Sequence, residues 1–472
     1  MKTECKAKPL DIEGMGRRRV VASFDGNHVS SDGGLLLLHE LNQRTGFFAA
    51  FAACFLDYRD PHRIEHTVEH IVAQRVLGIV CGNEDLNDHE TLRKDPLFAA
   101  VVGKTDIEGK KRRSSRDTGL ALPSPSTLNR LELTPATADA SSRYCKIVCD
   151  ESAIDDFFVQ RFLNAHRTPP ESIVLDLDAT DDPLHGQQEY GLFHGYYKHH
   201  CYLPLYIFCG DFLLCSRLRP SNIDASAGSI EELERIVAGI RERWPNVQIT
   251  LRADSGFARD SIMSWAEKNG IDFVFGLSQN KRLLKMIEDE MEEVKAECEA
   301  TGVAVRQFCE LRYQTRNSWS NERRVVAKAE HIPDKANPRF VVTTLDKDAV
   351  DAKTLYEKVY CARGDMENRI KEQQLDLFAD RTSAYTMRAN QIRLYFASVA
   401  YVLLNELRLF GLRGTEMARA QAGTIRTKLI KIGAVVTTSV RRVVVKLSRY
   451  APVQQLFCTI LDNLRRRLPA PG

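Results

Sequence analysis

Two apolar segments with alternating side chains, 173–180 and 249–254, most constrain the fold of this chain. In the first, IVLDLDAT, Asp176 and Asp178 fall on one face of a strand and the aliphatic residues on the other. The second, ITLRAD, repeats the arrangement and ends on Asp254. A carboxylate on an apolar strand is costly unless it is solvated, hydrogen-bonded or bound to a cation. Each aspartate is therefore a candidate ligand or a simple turn residue.

The segments around these strands predict a mixed α/β sheet. A hairpin should turn at Gly210-Asp211, and a helix should separate it from the second Asp-bearing strand. The predicted order is: strand 172–180, strands 201–210 and 212–218, helix 229–244, strand 247–254, a helix ending near 270, strand 272–277, a β-rich block with strands near 304–313, 323–330 and 339–345, and helices from about 355 to 408.

The charge distribution points to a polyanionic partner. The 472-residue chain is long enough for two or three domains and carries a net charge of only +3. Residues 411–472 alone hold twelve Lys and Arg against two acidic residues. Nucleic acid is the usual partner of such a basic segment, although a solvated helical face is the simpler alternative.

Several function classes are disfavoured by composition. The apolar stretch Leu394–Leu404 is about half as long as a membrane span, and the N-terminus lacks the apolar core of a secretion signal. The twelve cysteines include no CxxC pair, which favours reduced thiols over disulfides or a zinc site. We therefore expect a cytoplasmic protein without a membrane partner.

A third candidate element is the segment 360-YCARGDMENRIKEQQ-374. On a helix, Tyr360, Arg363, Glu367 and Lys371 would form one narrow stripe. Glu367 and Lys371 could equally be an exposed ion pair. Cutting a phosphodiester by in-line attack needs charge neutralised on both the entering and the leaving oxygen. Two Mg²⁺ ions held by several hard oxygen ligands can do this, and nearby Arg and Lys side chains can hold the flanking phosphates.

These segments resemble the DDE transposases of bacterial insertion sequences. The resemblance is closest to insertion-sequence family 1380, in the wider group with a Y-x-x-R-x-x-x-E signature. It covers most of the chain and rests on the segments DLDATDDPLHGQQE, YLPLYIFCGDFLL, LRPSNIDASAG, RADSGF and YCARGDMENRIKE, with SSDGGLLLLHEL, DYRDPHRIEHT, NEDLNDHETLRKDP and LPSPSTLNRLE nearer the N-terminus. It implies an α/β fold with a ribonuclease-H-like catalytic core.

The resemblance also implies roles for individual residues. Asp178, Asp254 and Glu367 match the three catalytic, metal-binding acids, with Asp176 as the competitor for the first position. Tyr360 and Arg363 match the phosphate-contacting groups of the signature. The wider group often has a Lys seven residues after the Glu, where this chain has Gln374. Lys371 is the alternative phosphate contact.

Two further side chains are candidate DNA contacts. Arg252 stands beside the second acid, and Trp319 lies in the β-rich block, where relatives that cut through a DNA hairpin stack a tryptophan on a flipped base. Packing of Trp319 in a small core is an equally good interpretation. The histidines that follow the first strand are interpreted as structural or phosphate-contacting residues: His185, His194, His199 and His200.

The predicted domain organisation has six parts. They are a basic arm (1–20), a helical N-terminal DNA-binding domain (21–165), the first part of the catalytic core (166–280), a β-rich insertion (281–350), the second part of the core (351–410) and a basic C-terminal region (411–472).

The predicted function is cut-and-paste DNA transposition. Two Mg²⁺ ions, for which Mn²⁺ would substitute, should support hydrolysis at terminal inverted repeats and strand transfer into target DNA. The partners would be double-stranded transposon ends and target DNA, bound by a homodimer at the bacterial nucleoid. The alternatives are a stand-alone nuclease of the same core and a catalytically inactive DNA-binding derivative.

Overall fold

The computed structural model describes residues 10–15, 18–23, 28–439 and 441–470. The chain divides into two compact units. Unit 1 contains residues 1–53, 57–131 and 407–472, and unit 2 contains residues 54–56 and 132–406. Within the described residues, no helix is long and apolar enough to cross a membrane.

The strands and α-helices are numbered in chain order. The strands are β1 (Leu10–Met15), β2 (Arg18–Ala22), β3 (Val29–Ser30), β4 (Phe55–Asp57), β5 (Ile147–Cys149), β6 (Ser172–Ala179), β7 (Asp182–Pro183), β8 (Leu192–His194), β9 (His199–Tyr202), β10 (Leu205–Cys209), β11 (Phe212–Arg217), β12 (Gln248–Ala253), β13 (Asp272–Leu277), β14 (Val305–Tyr313), β15 (Arg323–Ile332), β16 (Lys335–Ala336), β17 (Arg339–Thr343), β18 (Ala434–Thr438) and β19 (Val443–Leu447).

The α-helices are α1 (Leu35–Thr45), α2 (Phe47–Ala52), α3 (Val68–Val80), α4 (His89–Leu92), α5 (Pro96–Val101), α6 (Pro125–Glu132), α7 (Glu151–Asn164), α8 (Ser229–Arg243), α9 (Asp260–Lys268), α10 (Lys281–Lys285), α11 (Glu288–Thr301), α12 (Ala352–Thr354), α13 (Gly364–Leu377), α14 (Met387–Glu406), α15 (Ala422–Ile425) and α16 (Gln454–Arg467). Short 3₁₀ or π turns join several of them: Pro61–Arg63, Leu86–Asp88, Ser115–Asp117, Leu355–Tyr360, Cys361–Arg363, Leu407–Leu412 and Arg426–Ile430.

Unit 1 joins the two ends of the chain. Strand β18 pairs with β3, so that Ala434 lies opposite Ser30, and β19 extends this small sheet. Gly34 stands so close to the backbone of Leu429 that a Cβ there would lie 1.9 Å from the Leu429 carbonyl oxygen. The two units therefore divide the chain at different points from the predicted domains, because residues 57–131 and 411–472 fall in unit 1, whereas residues 132–165 fall in unit 2.

The predicted basic arm is described only in part. Residues 1–9, 16 and 17 lie outside the described residues, and strands β1 and β2 form an antiparallel pair.

Unit 2 is built on a large mixed sheet. Among the described strands its order is β11-β10-β6-β12-β13-β17-β15-β14, with β16 paired to β15. Strand β10 is antiparallel to β11 and β6, whereas β6, β12 and β13 are mutually parallel neighbours. Strands β17, β15 and β14 continue antiparallel beyond β13. The β-rich block predicted as an insertion thus extends the central sheet, because β17 forms backbone hydrogen bonds with β13.

The two faces of this sheet are covered differently. On one face, Leu175 and Leu177 of β6 are fully buried in a large cluster that includes Leu233 of α8 and Met263 of α9. The opposite face carries Asp176. Residues in register on neighbouring strands point to the same face, so Arg252, which pairs with Asp176 and with Val274, also lies there.

The helical run 352–377 packs on the face that carries Asp176. Leu355 and Tyr356 form a second core with residues of β13, β15 and β17, namely Val274, Val326 and Val341. This run contains the predicted Tyr-Arg-Glu stripe. The fold therefore brings the third candidate element onto the sheet face that displays the candidate aspartates.

Candidate functional site

Asp178 and Asp254 are brought together by the parallel pairing of β6 and β12. The register places Leu177 opposite Ala253, and an aspartate follows each of these two residues in the chain. Asp254 follows the end of β12, where its Oδ1 accepts a hydrogen bond from the Gly256 backbone amide at 2.8 Å. A strand end and its turn thus fix one carboxylate beside the other.

Glu367 reaches the same place from a helix. It lies in the first turn of α13, which follows the π turn Leu355–Tyr360 and the 3₁₀ turn Cys361–Arg363. The stripe from Tyr360 to Lys371 is therefore carried by three helical segments of different pitch. Such π segments inside helices occur frequently at functional sites.

One cavity of about 520 Å³ is lined by all three predicted acids, Asp178, Asp254 and Glu367. Arg363 and Lys371 line the same cavity. Five of the eight predicted site residues are therefore brought together, and Tyr360 lines an adjoining cavity of about 310 Å³ that shares Asp254 and Ser255 with the first.

The Arg363 guanidinium lies between two of the carboxylates. Its Nη2 donates to Glu367 Oε1 at 2.7 Å, and its Nη1 is 3.8 Å from Asp178 Oδ2. Burial opposes ionisation of Arg363, but the two carboxylates raise its pKa above the ordinary value. In this arrangement, no three His, Cys, Asp or Glu side chains of the described chain are close enough together to form a metal-binding group.

The electrostatics of the three acids favour a cation. Burial raises the pKa of Asp178 to about 7; Arg363 opposes the rise, whereas Asp254 and Glu367 add to it. A nearby positive charge lowers the free energy of such clustered carboxylates. The donors are all hard oxygen atoms, which are the ligands that Mg²⁺ and Mn²⁺ prefer. The residues present thus fit a divalent cation in chemistry.

Asp176, the competitor of Asp178, is held by an ion pair inside the sheet. Its two oxygens accept hydrogen bonds from Arg252 Nε at 2.5 Å and Arg252 Nη2 at 2.8 Å. The remaining terminal nitrogen of Arg252 donates to the Val359 carbonyl at 2.6 Å, and both charged residues are buried. A direct DNA contact by Arg252 would require this pair to break, so the geometry assigns Asp176 and Arg252 to the framework.

Tyr360 depends on a glycine in the neighbouring strand. A Cβ at Gly276 of β13 would lie 2.5 Å from the Tyr360 hydroxyl oxygen. Burial raises the pKa of Tyr360, so the hydroxyl stays protonated and can donate a hydrogen bond. Its cavity also contains Arg339 and Ser278, which sequence reasoning did not single out.

Gln374 occupies the position where the wider group often has lysine. Its side-chain amide donates to Asp182 Oδ1 and to the Asp181 carbonyl, both at 3.2 Å. Lys371 is exposed one helical turn earlier and lines the carboxylate cavity. Its position is therefore compatible with the phosphate contact suggested for it.

Trp319 is buried, with 7% of its surface exposed. Its ring meets Tyr313 edge to face at 5.6 Å, and the Arg323 guanidinium lies 5.6 Å from its centroid. Trp319 lines neither cavity described above. Its environment favours the packing interpretation over base stacking.

Sequence reasoning missed two tyrosines that line the carboxylate cavity, Tyr196 and Tyr197. His194, Tyr196 and Tyr197 line it together with the three acids. The available signal was the aromatic run Gly195-Tyr196-Tyr197, which follows an apolar strand without contributing to the alternating pattern. Of the four histidines noted, His194 reaches this cavity, and His199 pairs with Asp181 at 2.8 Å.

Comparison with known proteins gives a family assignment. A family model described as "Transposase DDE domain group 1" matches residues 12–469. No curated protein sequence matches the chain.

Seven chains of solved structures match. One belongs to the cryo-EM structure of the piggyBac transposase synaptic complex with hairpin DNA, at 11% identity and a TM-score of 0.38. That alignment covers 94% of this chain and 83% of the piggyBac chain.

Proposed function

Since the chain belongs to the transposase DDE domain group 1 family, we propose that it catalyses cut-and-paste DNA transposition with Asp178, Asp254 and Glu367 as its metal-binding acids. The observation that carries this proposal is the convergence of these three carboxylates, from two strands and a helix, on one cavity. The core would be ribonuclease-H-like, in agreement with the mixed sheet whose parallel strands present two of the acids. Membership of insertion-sequence family 1380 and a bacterial origin remain part of the proposal.

The carboxylates would hold two Mg²⁺ ions, with Mn²⁺ as a substitute. When bound, the metals neutralise charge on the entering and leaving oxygens of the cleaved phosphodiester. The protein's own contribution is to position the three acids. Strand pairing fixes Asp178 and Asp254, and helix α13 brings Glu367 to them.

The basic side chains around the acids would hold the DNA backbone. Arg363 can make two parallel hydrogen bonds to a phosphate, and Lys371 supplies a mobile positive charge at the rim. Tyr360 would donate its hydroxyl to a phosphate in the adjoining cavity. Each of these side chains lines a cavity that also contains Asp254.

The basic C-terminal region would add contacts independent of DNA sequence. In unit 1, Arg441, Arg442, Lys446 and Arg449 are all exposed on or beside strand β19. Each phosphate neutralised by such a residue makes binding more salt-dependent. The DNA would be the inverted repeats at the element's ends and then the target, and two copies of the chain would pair the two ends.

Excision in vitro tests the proposal. A plasmid carrying the DNA that flanks the gene in its natural locus is incubated with the protein in Mg²⁺ or in EDTA. We expect release of the intervening segment in Mg²⁺ only, followed by its joining to a second plasmid. The variant Asp178→Asn should bind the ends and release nothing, whereas Asp289→Asn, an exposed carboxylate on α11, should behave like the wild type.

The two alternatives predict different outcomes. A stand-alone nuclease would cut the plasmid without preference for the ends and would join nothing. An inactive derivative would bind the ends in Mg²⁺ without cutting them. Either result, obtained with folded protein, would refute the proposed transposition reaction.

A further inference from the structure

Exposed aromatic side chains form a wall of the carboxylate cavity. The wall belongs to strands β8 and β9 and the turn between them, at residues 192–202. Tyr196, at the tip of the turn, lines the cavity and has 83% of its surface exposed. Large aromatic rings that folding leaves in water mark an interaction site when they are grouped.

The rings that line the cavity are held as a group. The Tyr196 and Tyr197 rings meet edge to face with centroids 5.0 Å apart, and His194 lies 4.9 Å from Tyr197. The Tyr197 hydroxyl donates to the Ala179 carbonyl at 3.5 Å, directly after Asp178 in the chain. Tyr197 thus links the aromatic wall to the strand that carries the first acid.

The turn places Tyr196 outward and Tyr197 inward. Lys198 adopts a left-handed backbone conformation with a φ of 60°, which is uncommon for a residue with a side chain. The backbone amide of Lys198 donates to the His194 carbonyl at 2.8 Å and closes the turn. Tyr196 contributes little to the core, so its exposed ring is available to a ligand.

The ligand must suit both an aromatic ring and the surrounding charges. Lys371 and Arg363 line the same cavity, and Lys198, two residues after Tyr196 in the chain, is exposed. A nucleotide satisfies both requirements, because its base stacks on an aromatic ring and its phosphate pairs with a cation. Bases inside a duplex are already stacked on both faces, so there the ring can accept only a base that has left the helix.

We propose that Tyr196 stacks on an unpaired base of the DNA strand at the cleavage site, with Tyr197 and His194 supporting the ring. This inference rests on the function proposed above, since it places that base beside Asp178, Asp254 and Glu367. It gives the stacking role to the turn between β8 and β9, whereas Trp319 is buried in the sheet's core. Because every base has a π face, the contact would hold the strand in place without reading its sequence.

Binding measurements on two DNA probes test the inference. One probe is a blunt duplex, and the other is the same duplex with a short single-stranded tail containing 2-aminopurine. Affinities are measured in EDTA with the full-length protein, so that no cleavage occurs. From the usual strength of base–aromatic stacking, Tyr196→Ala should weaken binding of the tailed probe by about 5- to 150-fold. Its affinity for the blunt probe should not change.

Two further variants serve as controls. Tyr196→Phe keeps the ring and should retain both the affinity and the quenching of 2-aminopurine fluorescence. Tyr144→Ala removes another exposed tyrosine of unit 2, with 60% of its surface exposed, that lines neither cavity, and should bind both probes like the wild type. Intrinsic tryptophan fluorescence confirms that each variant is folded.

Two results would overturn the inference. One is an equal loss of affinity for both probes, which would make Tyr196 a general surface contact. The other is an unchanged affinity for the tailed probe. The proposed function is judged separately, by whether the wild-type protein cuts DNA in Mg²⁺, so failure of cleavage and failure of stacking are distinguishable.

Discussion

Replacing Asp176 by alanine should destabilise unit 2 strongly, because it leaves a buried positive charge without a partner. Asp176 is 3% exposed and Arg252 is 9% exposed. Two of the three guanidinium nitrogens of Arg252 donate to the carboxylate that the substitution removes. The third donates to the Val359 carbonyl, which cannot neutralise the charge.

The magnitude follows from the burial of both groups. Removing one partner of a buried ion pair typically costs about 3–5 kcal/mol, a large part of the roughly 5–15 kcal/mol that stabilises a folded domain. The free energy of unfolding typically falls by about 2–3 kcal/mol for each molar of urea, so the urea concentration at the unfolding midpoint should fall by about 1–2.5 M. The double variant Asp176→Leu with Arg252→Met should lose much less stability, because it removes both buried charges and keeps a similar side-chain volume.

Asp178→Asn should have the opposite effect on stability. Burial raises the pKa of Asp178 to about 7, above the roughly 3.9 of an unfolded aspartate. The stabilisation from this shift is fully present below about pH 4 and is lost as the pH rises through 7. At pH 8 the neutral asparagine should therefore make the unit as stable as the wild type or more stable.

Urea unfolding followed by tryptophan fluorescence measures these differences. The protein has three tryptophans, and all of them, Trp244, Trp265 and Trp319, lie in unit 2. The signal therefore reports the unit that contains the ion pair. A loss of less than about 1 kcal/mol for Asp176→Ala, or an equal loss for the double variant, would refute the reasoning.

Three further variants test other parts of the account. Asp182 is fully buried, and burial raises its pKa to about 8. The stability that this group provides is therefore lost as the pH rises from about 4 through 8. Asp182→Asn should melt near the wild-type temperature at pH 5 and well above it at pH 9, and equal melting curves at pH 9 would contradict this. Gly276→Ala should displace Tyr360 and reduce DNA cleavage without unfolding the protein; wild-type cleavage by Gly276→Ala would show that this position of Tyr360 is not required. Trp319→Ala should cost about 3–5 kcal/mol by calorimetry and leave the DNA affinity of the folded fraction unchanged; a stable variant with weak DNA binding would reverse that assignment.

Local patterns predicted most strands of the central sheet, although the single strand predicted at 201–210 is two strands, His199–Tyr202 and Leu205–Cys209, in different sheets. The strand predicted at 172–180 is Ser172–Ala179, and the strand at 272–277 has the predicted bounds. Alternating and β-branched side chains determine these elements locally. The helix predicted at 229–244 is Ser229–Arg243, and Gly228 in a left-handed conformation precedes it.

The partners of buried charges could not be predicted from those patterns. Asp176 and Asp178 have the same strand face and the same local sequence character. They differ because the register of β12 places Arg252 opposite Asp176. Asp254, two residues after Arg252, comes beside Asp178 instead. That register depends on residues more than seventy positions apart in the chain.

Long-range pairing also decided the architecture. The β-rich block was recognisable, but its attachment to β13 through β17 depends on backbone hydrogen bonds that leave no periodic signal. The same holds for β18, which joins β3 from the other end of the chain. The motifs around Asp178, Asp254 and Glu367 made these residues candidates from the sequence alone, whereas the aromatic wall at Tyr196 became visible only in the folded cavity.

Single-turnover cleavage of a labelled duplex that carries one natural end tests the central claim most directly. The proteins compared are the wild type, Asp178→Asn, Asp254→Asn and Glu367→Gln, with Glu299→Gln as an exposed control on α11. We expect Mg²⁺-dependent cutting by the wild type and the control, and background levels for the other three despite normal end binding. Wild-type cutting rates in any of those three, or cutting that persists in EDTA, would contradict the assignment of Asp178, Asp254 and Glu367 as one catalytic metal site.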